Sequence, residues 1–118
     1  MNQAIKAINE ANSHNGPSII IAYCPCIAHG IKKGMCESIN IEKLANKCGY
    51  FPIFRYDEKF TLDSKNPDFG LYEEFLNSQN RFAMLKIVDK ENANELLKEN
   101  KEKAIKRFEY YKSLENQD

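Results

Sequence analysis

SIIIAYCPC, residues 18–26, decides how this chain is read. Ser18 to Tyr23 is β-branched and apolar on both alternating faces, the pattern of a central strand covered by helices on both sides. Pro25 lacks the N–H that a sheet ladder needs, so the strand is expected to stop there. Upstream, Ala4, Ile5, Ala7, Ile8 and Ala11 recur at helical spacing, and Asn15-Gly16-Pro17 breaks the chain before the strand. Downstream, a loop through Gly30 and Gly34 leads to a helix over about 39–48. Ile41, Leu44, Ala45 and Cys48 lie on its apolar stripe, and Gly49 stands as its C-terminal cap.

FPIFRY, residues 51–56, reads as a second short strand, with Pro52 marking its start or a sheet edge. Residues 57–70 are polar and turn-rich, and Asn66-Pro67-Asp68 marks a loop. Residues 72–77 form a candidate short helix, and residues 81–88 fit a strand or a helix equally. Over 91–115, Ala93, Leu96, Leu97, Ala104, Ile105, Phe108 and Tyr111 make an interrupted stripe set among Lys and Glu, a long amphipathic helix. Helix, strand, helix, strand with short turns predicts an α/β layer: part of a doubly wound sheet with parallel strands flanked by helices, followed by the long C-terminal helix. Cys24-Pro25-Cys26 would then sit at the carboxyl end of a central strand, the edge on which open α/β sheets place their ligands.

The 118 residues amount to one domain's worth of chain or a piece of a larger domain. Seventeen basic and seventeen acidic side chains cancel, so charge favours neither nucleic acid nor a membrane surface as partner. The apolar run from Ile19 to Tyr23 is too short to span a bilayer, and MNQAIKAINEANSHN has no continuous apolar core like that of a signal peptide. Four cysteines without an export signal suggest a reducing compartment, and the cytoplasm is the expected location.

The cysteines are the candidate chemistry. A zinc site or a cubane cluster needs four ligands, and C-x-C followed by Cys36 and Cys48 matches no standard knuckle. Cys48 lies on the helix stripe and reads as a core residue. His14 and His29 fall in loops without a partner at ligand spacing and read as surface residues. Lys32 and Lys33 could lower the pKa of a Cys24 or Cys26 thiolate, but more simply they are a solvated loop. Tyr50, Phe51, Phe54 and Tyr56 read as packing around the second strand. On spacing alone the four cysteines are free thiols. A small standalone thiol or metal-binding protein, or an interaction module built around the helix at 91–115, stays open as an alternative.

GPSIIIAYCPCIAHGIKKGM (16–35) closely resembles the C-terminal part of the pyruvate:ferredoxin (flavodoxin) oxidoreductases, with their GPSLIIAY-x-x-CI-x-x-G-x-x-x-GM. The resemblance continues in order through GYFPIFRYDEKF, LDSKNPD and EEFLNSQNRF, with Phe51 where the family commonly has Trp. It implies that residues 1–56 are the C-terminal part of the thiamin-diphosphate-binding α/β domain and that 57–118 are a C-terminal extension of loop and helices. It also implies that Cys26, the cysteine of the Y-x-x-C-I motif, is one thiolate ligand of the [4Fe–4S] cluster nearest the thiazolium. Cys24, Cys36 and Cys48 are not carried over as ligands, and no residue here is assigned as a proton-transfer catalyst.

The activity implied is oxidative decarboxylation of pyruvate to acetyl-CoA and CO₂. Thiamin diphosphate, Mg²⁺ and [4Fe–4S] clusters are the implied cofactors, with electrons passing to ferredoxin or flavodoxin. The implied partners are the rest of the parent chain, pyruvate, coenzyme A and a second copy in a homodimer. With one thiolate of four, these residues on their own are expected to be inactive and to bind neither cluster nor thiamin. A central strand with exposed edges is expected to make them self-associate.

Overall fold

The computed structural model describes residues 2–116. In chain order these form helix α1 (Asn2–Ser13), helix α2 (Ser38–Lys47), strands β1 (Phe54–Tyr56) and β2 (Phe60–Leu62), helix α3 (Tyr72–Asn77), the short helices α4 (Asn80–Ala83) and α5 (Leu85–Val88), and the long helix α6 (Lys90–Glu115). Single 3₁₀ turns at Met35–Glu37 and Phe69–Leu71 lead into α2 and α3.

The helices begin and end where local chemistry directs. Gly49 follows α2 with φ +78, and its N–H donates to the Asn46 carbonyl at 3.1 Å, closing the helix as the sequence predicts. A Cβ there would stand 2.6 Å from Phe69 Cε1, so this glycine is also needed for close packing. Asp89 caps α6 by accepting from the Asn92 N–H at 3.1 Å, which starts the helix a turn's edge earlier than its stripe suggests. The ambiguous stretch 81–88 is helical, in α4 and α5.

Two clusters hold the molecule together. In the larger, Ile41 and Ala45 of α2 and Cys48 just after it meet Tyr72, Phe75 and Leu76 of α3, Ala104 of α6 and Ile31 of the loop before α2. In the smaller, Phe60 and Leu62 of β2 pack on Phe108 of α6. Residues on both sides of position 56 therefore share the larger cluster, and β1 pairs with β2 across that position. Of the predicted α6 stripe, Ala93, Ala104 and Phe108 are buried, whereas Leu96 is exposed.

The chain mixes helices with strand, but the sheet differs from the expected parallel arrangement. It has two strands, antiparallel, with Phe54 opposite Leu62 and Tyr56 opposite Phe60. β2 lies inside the stretch read as a polar loop, where Phe60 and Leu62 point inward and Thr61 is half-buried. Residues 17–26 adopt neither helix nor strand. Residues 19–25 make no backbone–backbone hydrogen bond among the described residues, and Ile19 is 87% exposed. Among the described residues no strand lies beside SIIIAY, so its backbone N–H and C=O groups join no ladder.

Candidate functional site

Cys26 opens a tight turn. The Gly30 N–H donates to the Cys26 carbonyl at 2.8 Å, and Gly30, with φ +75, takes the left-handed conformation the turn requires. The turn is anchored to the segment between α3 and α4. Lys32 N–H donates to the Ser78 carbonyl at 2.8 Å, Asn80 Nδ2 donates to the His29 carbonyl at 2.9 Å, and Ile31 bridges Gln79. On the N-terminal side, Pro25 is buried and Tyr23 packs against the rings of Tyr50, Phe51 and Phe75. Cys26 is thus held from both sides, although the isoleucines that precede it are not.

Its sulfur lies 3.1 Å from His29 Nδ1. A ring proton on that nitrogen donates to the thiolate, and the backbone N–H groups of His29 and Ala28 add to it, lowering the Cys26 pKa to about 7. A half-exposed sulfur ringed by N–H donors suits two roles, metal thiolate or nucleophile. The other thiols differ. Cys24 and Cys36 are exposed and Cys48 is fully buried, with burial pushing its pKa up. All four are free, and among the described residues no three Cys, His, Asp or Glu side chains converge as a metal site would require.

His29 lies at the surface as the sequence reading has it, with a neighbour that reading did not give. It is exposed, but it is the main neighbour of Cys26, and the signal was present as C-x-x-H across a turn. His14 is also partnered, with Nδ1 3.3 Å from Asp57 Oδ1. Neither was visible as a pair in helical or strand spacing, because a turn brings His29 to Cys26 and a contact between segments distant in sequence brings His14 to Asp57.

No protein-family model matches the chain. Full-length relatives do. It is 38% identical to the pyruvate:ferredoxin oxidoreductase of Moorella thermoacetica over 95% of its own length and 10% of that protein. It is 37% identical to the pyruvate-flavodoxin oxidoreductase of Enterobacter agglomerans over 96% of its length and 10% of that protein. The chain is homologous to a segment of the pyruvate:ferredoxin/flavodoxin oxidoreductases. A further relative, the mitochondrial pyruvate dehydrogenase [NADP(+)] of Euglena gracilis, is 34% identical over 97% of the chain and 7% of that protein. The chain therefore spans about a tenth or less of the length of these oxidoreductases. Among the described residues no helix is long and apolar enough to cross a membrane.

Proposed function

We propose that these residues serve as the closing part of a pyruvate:ferredoxin/flavodoxin oxidoreductase, in which Cys26 supplies one of four thiolates to a [4Fe–4S] cluster. In this reading residues 1–56 complete the thiamin-diphosphate-binding α/β domain and 57–118 extend from it. SIIIAY joins a parallel sheet whose other strands belong to the rest of the enzyme. The whole protein is cytoplasmic, takes pyruvate and coenzyme A, and passes electrons to ferredoxin or flavodoxin.

The observation that carries the proposal is the state of Cys26 itself. It is a half-exposed thiol, with His29 and two backbone N–H groups directed at it, at the end of an apolar segment whose residues Ile19, Ile20 and Ile21 are exposed. Ligation requires a deprotonated sulfur, and N–H donors around a cluster thiolate tune its potential. The residues present therefore fit one corner of a cluster. When bound, the cluster supplies single-electron transfer. The chain's own part is to fix the sulfur by the Cys26–Gly30 turn and to ease its deprotonation.

The test is to exchange cysteines in the intact enzyme. Cys26→Ala should remove the iron of one cluster and abolish ferredoxin-linked turnover, whereas Cys24→Ala and Cys36→Ala should leave iron content unchanged. Iron analysis together with low-temperature electron paramagnetic resonance reads the outcome. A full iron complement in the Cys26→Ala enzyme would overturn the assignment.

A further inference from the structure

The three arginines of the chain are not treated alike. Arg55 holds two carboxylates, those of Glu10 and Asp63. Arg81 and Arg107 have no carboxylate within ion-pair distance among the described residues. Both line one open cleft of about 550 Å³, whose walls include Tyr23, Tyr50, Phe51 and Tyr72 but no Asp or Glu.

Beside this cleft two buried donors lack an acceptor. Arg81 Nη2 reaches the Tyr50 hydroxyl at 3.4 Å, and its guanidinium lies 4.6 Å from the Phe82 ring centroid. Its Nε is sealed from solvent and makes no hydrogen bond. Arg107 Nη2 donates to the Tyr50 carbonyl at 2.8 Å, which fixes the second guanidinium on the same tyrosine. Gln79, 2% exposed, adds a second orphaned donor nearby. Its Oε1 accepts from the Tyr23 hydroxyl at 3.3 Å while its Nε2 has no partner. Arg107 is exposed, whereas Arg81 is part-buried, and a part-buried guanidinium without a carboxylate is short of an acceptor.

We infer that this cleft binds a small organic anion, its carboxylate or phosphate oxygens held between Arg81 and Arg107. Planar guanidiniums match carboxylate and phosphate oxygens in pairs, which gives such ligands geometry as well as charge. The volume lies in the range of small-molecule sites and exceeds what one carboxylate side chain would fill. The part-exposed rings of Tyr23, Tyr50 and Phe51 border the space for the body of the ligand, and Tyr72 lies buried beneath them. An Asp or Glu from polypeptide outside this chain offers the same oxygen chemistry, and the test separates the two sources.

Arginine-specific labelling with phenylglyoxal, read residue by residue by mass spectrometry, tests the site. Inorganic phosphate and acetate are the probes, each titrated against sodium chloride at constant ionic strength. Either probe should protect Arg81 and Arg107 saturably and leave Arg55 unaffected. Arg81→Lys should weaken protection of Arg107 by about tenfold, the cost of losing a paired charged contact. Should Arg81→Lys fail to fold by circular dichroism, Arg107→Lys with Arg81 as reporter gives the same comparison. Protection no stronger than chloride gives, or unchanged in these variants, would overturn the site. Labelling of the intact enzyme adds a second arm. Arg81 and Arg107 already unreactive there without added anion would mean that another segment fills the cleft, and the small-ligand proposal would fail.

Discussion

Helix α1 and residues 17–24 touch the rest of the molecule through charges and one aromatic ring, whereas residues 35–116 share two packed clusters. Among residues 2–34 only Pro25 and Ile31 are buried, and α1 buries nothing. It is tethered by polar contacts: Arg55 of β1 donates to both carboxylate oxygens of Glu10 at 2.6 Å, and Gln3 Nε2 donates to Asp63 at 3.0 Å. In the second region, Phe75 and Ala45 are completely buried, and Tyr72, whose pKa burial pushes up to about 12, lies beneath the aromatic layer. The contrast teaches that apolar patterning records the surroundings a segment was selected for. SIIIAY has the composition of a buried strand and the exposure of a loop.

The largest expected effect breaks the comparison at its packed end. Phe75→Ala removes a ring that contacts Tyr23 and Tyr50 and should cost about 3–5 kcal/mol in urea unfolding. Ile20→Ala, at a side chain 55% exposed, should change stability by less than about 0.5 kcal/mol. Similar losses at the two positions would mean that the segment is packed after all.

A smaller effect tests the polar tether. Arg55→Ala should cost about 1–2 kcal/mol, mostly through Asp63, since Glu10 is half-exposed and its ion pair is screened. Arg55 holds the Asp63 carboxyl below its usual value. The stabilisation it gives is therefore complete above about pH 4 and is lost as pH falls through the folded-state value. Asp63→Asn should flatten that acid limb in a stability–pH series, and an unchanged limb would place the acid sensitivity elsewhere.

The smallest effect concerns chemistry rather than stability. Alkylation of Cys26 by iodoacetamide should rise with a midpoint near pH 7, and His29→Ala should move that midpoint upward. Cys48 should stay unreactive until the chain unfolds. Equal midpoints with and without His29 would remove the ring from the site.

Much of the helical framework was legible because 3.6-residue stripes and caps are local. Gly49 closed α2 where it was expected, and the stripe over 91–115 became α6. β2 was hidden because three residues, Phe60–Leu62, give alternation too short to distinguish from a loop. The parallel sheet was read from the order helix, strand, helix, strand, but Ile19, Ile20 and Ile21 are exposed and the two strands present are antiparallel. Cys26 could not be chosen over the other cysteines by spacing; its motif singled it out. His29 was missed because a turn, not a periodic element, brings it to the sulfur.

Amide hydrogen exchange over residues 18–27 tests the account's central claim most directly. In the 118-residue chain alone those amides should exchange as fast as an unfolded peptide, and in the intact oxidoreductase they should be protected as central-strand amides are. Protection in the isolated chain, or its absence in the whole enzyme, would contradict the view that this segment waits for a sheet.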